Sequence, residues 1–350
     1  MSGSRILSAK LMFVIACCTI SALGQTPAPE PAARQAPAAP NEGELNKYIS
    51  RDPKDVMTAL DLLTQNMYEQ EVDTTLILFI LQHGNRVQVR RFFYPATDKE
   101  MVPAYIFTPV NIQEGARRPG LLIVHGGFHE KLDWRYFPLI DLAVSKGYVV
   151  MFPEYRGSSG YGEQNFKNDY GITDVADIFS ADEYLKKQPN VDPARIGILG
   201  HSRGGMTTLL AIERDPKRFQ VAVDIAGLAD FLAYMSYKPD DRRMEVAKEP
   251  HFKGQLPIDN LAAYMDITPL NYVEKIQTPL MVLATTGDKI VPYGLNSGRL
   301  IELLKSYGKI FDSHTYSNAP GGHVFLFGDS DETRDCVQRA FNWIGKYLKP

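Results

Sequence analysis

The sequence predicts an α/β fold built on a mostly parallel, twisted sheet with helices on both faces. Short, wholly apolar runs alternate with longer helical patterns from residue 121 onward. Strands that are apolar throughout are typical of sheets covered on both sides. A tight turn of pattern Gly-Xaa-Ser-Xaa-Gly joins one such run to a helical pattern, and loops carrying Asp and His follow two later runs. Open α/β sheets hold their sites at this edge.

Two runs near residue 100 predict an edge hairpin of the sheet. Arg86–Tyr94 and Met101–Phe107 flank the polar turn Ala96–Lys99 and have strand character. The run Leu76–Leu81 is apolar throughout, and periodicity alone does not decide between helix and strand there.

The alternation that follows supplies the remaining elements. Six short runs, most of them apolar, are predicted to be strands: Leu121–Val124, Tyr148–Phe152, Ile196–Leu199, Val221–Ala226, Leu280–Ala284 and Ile310–Tyr316. Helices are predicted where apolar residues recur every three to four positions: Phe137–Lys146, Val175–Lys187, Met206–Ile212, Ser297–Tyr307 and Glu332–Leu348. Cys336 falls in the last helix, where packing is its expected role.

One segment, at about 228–272, interrupts the alternation. It is rich in Met, Tyr and charged residues and contains Pro239, Pro250 and Pro257. Two interpretations stay open: a small helical cap over a site, or an ordinary helical excursion between two strands.

The first residues have the pattern of a signal peptide. Arg5 and Lys10 are positive, Leu11–Leu23 is mostly apolar, and Ala22–Gly24 is a small-Xaa-small cleavage site. Residues 1–24 are therefore predicted to be removed, and the protein to be secreted or periplasmic.

Two alternatives remain for this segment. One is a membrane anchor, although the run is shorter than the roughly 20 residues of a span. The other is a lipoprotein anchored at Cys17, because Val14–Cys17 resembles a lipobox. Residues 25–42 are Pro/Ala-rich and predict a disordered linker, so the catalytic domain is expected at 43–350.

Composition excludes some classes of function. The net charge is −3, with 44% hydrophobic and 23% charged residues, as in ordinary soluble globular proteins. A nucleic-acid surface would need clustered basic residues, and none is present. No motif implies a metal or a cofactor, and no stable membrane span is expected after signal cleavage. The oligomeric state cannot be read from the sequence.

The Gly200–Gly204 turn makes Ser202 the candidate nucleophile. A serine on so sharp a strand-to-helix turn stands clear of the sheet, and small neighbours let the chains pass closely. Asp288 and His323 each follow a predicted strand and are the candidate orienter and base. The order Ser, Asp, His is that of α/β-hydrolases. Asp230 is the best rival to Asp288.

An anion hole needs two donors. The backbone N–H of Arg203 directly follows the nucleophile, and the loop Val124–Phe128 offers the second donor. Gly127 is our choice for it, with the Phe128 amide left open as the alternative.

Several motifs resemble the prolyl-oligopeptidase-like (S9-type) serine peptidases. His125–Gly127 resembles their H-G-G segment, and Tyr155–Gly162 matches their Y-R-G-S-x-G-Y-G segment. Gly200–Gly205, Gly287–Asp288 and Gly322–His323 resemble the motifs around the triad. The resemblance covers about residues 118–350.

The resemblance implies an α/β-hydrolase fold and roles for several residues. Ser202, Asp288 and His323 take the triad roles, and Phe128 and Tyr161 lie beside the substrate. Arg156 is expected to be a structural ion-pair partner of Asp174 or Asp177, since buried arginines need a carboxylate.

The chain departs from the family at two points. Phe128 stands where a proline is usual. The family carries an N-terminal β-propeller, whereas only about 60 residues lie between linker and sheet here, too few for propeller blades. We therefore expect a member without a propeller.

Three functions remain open. The first is a serine hydrolase that cleaves short peptides through an acyl-enzyme. The second is a carboxylesterase acting on small or sugar-linked esters. The third is a non-catalytic binding protein on the same scaffold. A peptidase would need an anchor for the substrate amine, for which Asp240 and Asp241 are the candidates.

Overall fold

The computed structural model describes Leu63, Met67, Gln70, Glu71 and residues 74–166 and 168–349. Residues 74–349 belong to one unit, Ala59–Pro350. The predicted signal peptide, Cys17 and the linker at 25–42 lie outside the described residues. Signal cleavage, lipidation and secretion therefore stay predictions.

The described residues form one eight-stranded sheet with the spatial order β1-β2-β4-β3-β5-β6-β7-β8. The strands are β1 Val87–Pro95, β2 Met101–Pro109, β3 Arg118–Val124, β4 Val149–Pro153, β5 Val191–His201, β6 Val221–Ile225, β7 Leu280–Thr285 and β8 Phe311–Tyr316.

The sheet is antiparallel at one edge and parallel elsewhere. Strands β1 and β2 form the predicted hairpin, with Val87 opposite Pro109, and β2 runs antiparallel to β4. The other five neighbouring pairs are parallel. The predictions of an edge hairpin and a mostly parallel sheet are confirmed.

Helices cover both faces of this sheet. In chain order they are α1 74–83, α2 Phe137–Ser145, α3 Glu163–Phe166, α4 Thr173–Lys186, α5 Arg203–Arg214, α6 Phe231–Tyr237, α7 Asp240–Ala247, α8 Leu261–Asp266, α9 Ser297–Ser306 and α10 Asp331–Leu348. The undecided run Leu76–Leu81 is thus helical. Ile178, Leu209 and Leu300 fill the core on one face, and Leu139 and Ile344 fill it on the other. Cys336 of α10 is fully buried, as its packing role requires.

The segment 228–272 holds three short helices, α6 to α8, between β6 and β7. An aromatic cluster joins it to the body of the domain. The Phe231 ring lies 5.1 Å from the Tyr170 ring and 6.1 Å from the Tyr264 ring, and Phe252 stacks on Tyr264 at 4.3 Å. The segment is therefore packed against the domain through its own core.

Arg156 is an ion-pair partner of Asp177, the second of its two predicted partners. Its guanidinium donates to both Asp177 oxygens, at 2.6 Å for the Nη2–Oδ1 pair, and a further amino group reaches Asp98. The Asp177 carboxylate is fully buried and also accepts the Arg156 backbone N–H at 2.8 Å. The pair fixes the start of the 155–162 loop on helix α4.

We predict that Arg156→Ala destabilises the fold by about 3–5 kcal/mol, because the buried Asp177 carboxylate would lose its counter-charge. The free energy of unfolding from urea titration measures this. Arg334→Ala is the matched control, because Arg334 is 65% exposed and pairs with the solvent-exposed Asp331. Equal losses for the two variants would contradict the buried-pair argument.

Candidate active site

Ser202 lies on a strained turn between β5 and α5. Its φ of 59° and ψ of −119° are outside the regions that L-residues favour, a cost of about 1–3 kcal/mol. The turn is held from both sides. The Ser202 N–H donates to the Ile225 carbonyl at 3.0 Å, and the Ser202 carbonyl accepts from Met206 N–H at 3.1 Å. Its hydroxyl is thereby presented at the carboxyl edge of the sheet.

Gly204 lets the turn approach strand β3. A Cβ atom at this position would overlap the backbone carbonyls of Val124 and His125. No other residue fits without moving the strand. The Gly-Xaa-Ser-Xaa-Gly pattern is therefore a packing requirement of this turn.

Ser202, His323 and Asp288 form one continuous hydrogen-bonded chain. His323 Nε2 lies 2.7 Å from Ser202 Oγ, and His323 Nδ1 lies 2.7 Å from Asp288 Oδ2. Since a carboxylate only accepts, Nδ1 carries the proton and Nε2 faces the serine as the acceptor. This is the geometry that a nucleophile, its general base and an orienting acid require.

Asp288 is held rigidly by its own loop. Its Oδ1 accepts the backbone N–H groups of Ile290 and Val291, both at 2.8 Å, and its side chain is 3% exposed. The rival Asp230 is used elsewhere. Asp230 caps helix α6 through Ala233 N–H and pairs with Arg299. Asp230 therefore has its own partners and does not orient His323.

His201, the residue before the nucleophile, anchors the loop of the base. Its Nε2 lies 3.0 Å from the His323 carbonyl oxygen. Burial lowers the pKa of His201 to about 3, so the ring is neutral and its N–H donates to that carbonyl. The sequence already argued against His201 as the base. Its hydrogen bond to the His323 carbonyl could not be predicted, because it joins residues 122 positions apart.

The loop after β3 offers two candidate oxyanion donors opposite Arg203, the amides of Gly127 and Phe128. Gly126 N–H donates to the Tyr136 hydroxyl at 3.1 Å and is therefore occupied. Within the described part of the chain, the N–H groups of Gly127, Phe128 and Arg203 have no protein acceptor. Gly127 has φ of 71°, and a Cβ there would overlap the Glu130 side chain. The loop thus needs glycine at this position, and Gly127, Phe128 and Arg203 all line the same cavity.

The cavity beside Ser202 has a volume of about 150 Å³. It has an aromatic and aliphatic wall and a charged edge. The lining residues are Gly127, Phe128, Glu130, Arg135, Tyr170, His201, Ser202, Arg203, Leu228, Tyr234, Ile290, Val291, His323 and Val324. Leu228 and Tyr234 come from the 228–272 segment, which therefore forms part of the cavity wall.

The charged edge consists of Glu130 and Arg135, which the sequence interpretation did not single out. Arg135 Nη2 lies 3.6 Å from Glu130 Oε2, and Asp133 accepts two further N–H groups of Arg135 at 2.9 Å or less. Burial raises the pKa of Glu130, and the positive charge of Arg135 opposes that shift. The position of Glu130, three residues after Gly127, is the only sequence signal that could have indicated it.

The side chain of Arg203 supports the aromatic wall from below. Its guanidinium donates to Asp174 at 3.0 Å, and its Cζ lies 3.9 Å from the Tyr170 ring centre and 5.5 Å from the Phe128 ring centre. Both charged side chains of the pair are at most 3% exposed. A buried cation beneath two rings fixes the rings by charge as well as by contact.

Of the two predicted substrate-binding residues, the structure brings one to the cavity. Phe128 lines it, whereas Tyr161 is not among the lining residues. The Tyr161 hydroxyl lies 3.0 Å from the Tyr105 hydroxyl, and its ring lies under the Arg91 guanidinium at 5.2 Å. The predicted location of Tyr161 is therefore corrected. Its side chain is committed to the antiparallel edge of the sheet.

A buried cluster of His125, Ser158 and Glu154 lies beneath the oxyanion loop. His125 Nδ1 is 2.9 Å from the Gly126 carbonyl, and its Nε2 is 2.9 Å from Ser158 Oγ and 3.5 Å from Glu154 Oε2. Glu154 Oε1 accepts the Leu132 N–H at 2.8 Å. Burial lowers the pKa of His125 to about 3 and raises that of Glu154 to about 8. Both side chains are thus neutral near pH 7.

The described residues contain no group of three or more His, Cys, Asp or Glu side chains arranged to hold a metal ion. Among them there is also no helix with the length and apolar content of a bilayer span.

Comparison with known families now decides the membership of the chain. The model of the prolyl oligopeptidase family matches residues 134–350, more than half of the sequence. The chain belongs to the prolyl oligopeptidase family. It is accordingly a serine hydrolase, with the family fold of an α/β-hydrolase.

Individual relatives agree with this membership. The chain is 33% identical to the uncharacterized peptidase YtmA of Bacillus subtilis, with 66% of this chain and 84% of YtmA covered. It is 28% identical to the uncharacterized peptidase YuxL of Bacillus subtilis over 62% of this chain, and 26% identical to the acylamino-acid-releasing enzyme of Arabidopsis thaliana over 70%. The chain spans 33% and 32% of the lengths of these two relatives.

Solved structures show the same fold. A puromycin-hydrolyzing peptidase of Mycobacterium tuberculosis matches with a TM-score of 0.64 and 25% identity, over 75% of this chain and 39% of that one. The acylaminoacyl peptidase of Pyrococcus horikoshii matches with a TM-score of 0.63 and 24% identity, over 77% and 43%. The predicted α/β-hydrolase fold is confirmed.

We predict that Glu154→Gln becomes more stable relative to the native protein as pH rises from about 5.5 to 8. In this range the folded protein keeps a proton on Glu154 that the unfolded chain, with a glutamate pKa of about 4.3, has released. Stability is therefore lost as pH rises through the window, by at most about 1.4 kcal/mol per pH unit, and glutamine removes this loss.

Urea unfolding of both proteins across the pH range measures the difference in stability. Glu302→Gln, on the exposed side of α9, is the matched control for the loss of a carboxylate. A Glu154→Gln difference that stays level with pH would show that Glu154 is ionised in the folded protein.

Proposed function

We propose that this chain is a serine peptidase that cleaves short acylated peptides after an apolar residue, through a covalent acyl-enzyme. The hydrogen-bonded chain from Asp288 through His323 to Ser202 is the observation that carries the proposal. A serine, an imidazole and a buried carboxylate in this order can perform acyl transfer without further groups.

The proposed reaction begins with attack of Ser202 Oγ on the scissile carbonyl. His323 Nε2 takes the serine proton as the new bond forms, and Asp288 stabilises the resulting imidazolium and keeps its orientation. The oxygen of the tetrahedral intermediate becomes negative and accepts from the N–H groups of Gly127 and Arg203.

His323 then gives its proton to the departing amine, and the C–N bond breaks. Water enters on the same side, loses a proton to His323 Nε2 and attacks the acyl-enzyme carbonyl. Collapse of this second intermediate returns the proton to Ser202 and releases the acid.

The wall of the cavity supports an apolar acyl side chain. Phe128, Tyr170 and Tyr234 supply rings, and Leu228 and Val291 complete the surface with aliphatic groups. Apolar walls with few polar groups are typical of sites that select by hydrophobic contact. We therefore expect Phe or Leu on the carbonyl side of the scissile bond.

The described lining of the cavity offers no free acid for a charged substrate amine, which favours a substrate whose amine is blocked. Asp240, one predicted anchor, pairs with Arg243 and is 87% exposed, and neither it nor Asp241 lines the cavity. Glu130 is the acid among the lining residues, and it faces Arg135. The relatives named acylamino-acid-releasing enzymes support the same substrate class.

We predict that a fluorophosphonate probe labels the native protein and not Ser202→Ala. Hydrolysis of N-acetyl-phenylalanyl p-nitroanilide should fall at least roughly 10,000-fold in kcat/KM in that variant, because the nucleophile is lost. The native enzyme should prefer this substrate to the anilide with a free amine. Labelling of Ser202→Ala at the native rate would contradict the assignment, while turnover of p-nitrophenyl butyrate without any anilide turnover would favour a carboxylesterase.

We predict that Tyr234→Ala lowers kcat/KM for the N-acetyl-phenylalanyl anilide by about 10- to 100-fold, because it removes part of the apolar wall. The value of kcat/KM for the corresponding N-acetyl-alanyl anilide should fall much less, because its small side chain makes little contact with the wall. Leu232→Ala is the matched control, since Leu232 lies on the same helix and does not line the cavity. A parallel loss on both substrates would contradict a role of Tyr234 in selecting the acyl side chain.

A further inference from the structure

A second cavity, of about 650 Å³, lies in the 228–272 segment away from the catalytic residues. Its walls come from α6, from α7, from the 256–258 turn, from the 265–271 stretch and from α9. The lining residues are Asp230, Leu232, Ala233, Met235, Ser236, Arg243, Leu256, Pro257, Ile258, Met265, Thr268, Leu270, Asn271 and Arg299.

Helix α6 separates this cavity from the catalytic one. Tyr234 lines the catalytic cavity, whereas Leu232, Met235 and Ser236 line the second cavity. None of the residues that the structure describes borders both cavities. The second cavity is thus a site of its own, on the other side of one helix.

Most of the wall is apolar, and part of it is exposed. Ile258 is 90% exposed and Met265 37%, although both are large apolar side chains. Met235 is buried at the base of the cavity. Apolar surface that is concave and open to water is a mark of a binding site, because burying it there lowers the free energy.

The charged groups of the wall are two arginines and one aspartate, and we call the two arginines the positive end of the cavity. Arg243 and Arg299 carry two positive charges, and Asp230 carries one negative charge. Asp230 is 10% exposed and is used to cap α6 and to pair with Arg299, while the Arg299 side chain remains 50% exposed.

Arg243 adds an unused donor. Its Nε is buried and has no hydrogen-bond partner among the described residues, and its one ion-pair partner, Asp240, is 87% exposed and outside the wall. Each guanidinium thus pairs with one aspartate and keeps N–H groups that no described residue accepts, and a guanidinium fork matches a carboxylate.

We propose that this cavity binds an amphiphilic carboxylate, with the carboxylate at Arg299 and Arg243 and an apolar chain along Met235, Ile258 and Met265. The proposal does not depend on the catalytic role of Ser202. A medium-chain fatty acid has the required chemistry: one negative head and an apolar tail without further polar groups.

The test uses octanoate as the probe, with octan-1-ol and octylammonium as its uncharged and positive counterparts. Isothermal titration of the full chain measures the three dissociation constants. We expect octanoate to bind most tightly and octylammonium most weakly. Equal affinities for octanoate and octylammonium would overturn the proposal, because the positive end would then play no part.

Variants locate the site. Arg299→Gln and Arg243→Gln should each weaken octanoate by about tenfold and leave octan-1-ol nearly unchanged, as expected for loss of a charged hydrogen bond. Ser236→Trp should weaken both ligands, because Ser236 is exposed at the cavity edge and an indole there would occupy part of the space.

Lys305→Gln is the matched control, since Lys305 is an exposed cation on the same helix as Arg299 and does not line the cavity. It should bind octanoate like the native protein. Thermal unfolding is measured for every variant. If Arg299→Gln is destabilised, Arg243→Gln and Ser236→Trp carry the test, provided that they unfold at the temperature of the native protein. Octanoate affinity that survives Ser236→Trp and both arginine changes would place the ligand elsewhere and refute the site.

Discussion

The close packing of the nucleophile turn between β3 and β6 is the constraint on which the site depends. Gly204 lies directly against the Val124 carbonyl, and Ser202 N–H is bound to the Ile225 carbonyl of β6. The strained backbone of Ser202 persists because both neighbours hold it. His201, on the same turn, in turn holds the His323 carbonyl. His323, the proposed base, is thereby positioned by the Ser202 turn as well as by Asp288.

The fold could be predicted from the sequence where an apolar pattern marks a whole strand or helix. Strand β7 and helix α10 differ from their predicted bounds by a single residue at one end, because their apolar patterns begin and stop sharply. Helix α1 could not be assigned, because six consecutive apolar residues suit either structure. Strand β5 begins at Val191, earlier than predicted, where it pairs with Arg118 of β3 around a register shift. That extension depends on a neighbouring strand and leaves no periodic signal.

The site was predictable to the same extent and for a similar reason. Ser202 and Asp288 each directly follow an apolar strand, and His323 lies in a Gly-rich loop after the mixed strand β8, so local context singles out all three. Glu130 and Arg135 lie in a loop without a motif, and their position in the cavity comes from the path of the chain after Gly127. Tyr161 belongs to a family-like motif, yet its hydroxyl faces Tyr105 across the sheet edge. A motif identifies a loop and does not determine where each of its side chains points.

Arg203 joins two parts of the site in a single residue. Its backbone borders the oxyanion cavity next to Ser202, and its guanidinium, paired with Asp174, lies beneath the rings of Tyr170 and Phe128. Substitutions at Tyr170 or Phe128 would therefore disturb the buried Arg203 charge, which belongs to the residue next to Ser202. Leu228 and Tyr234, by contrast, come from the 228–272 segment. New substrate preferences in this scaffold should accordingly arise through the 228–272 segment, while the Arg203 side evolves slowly.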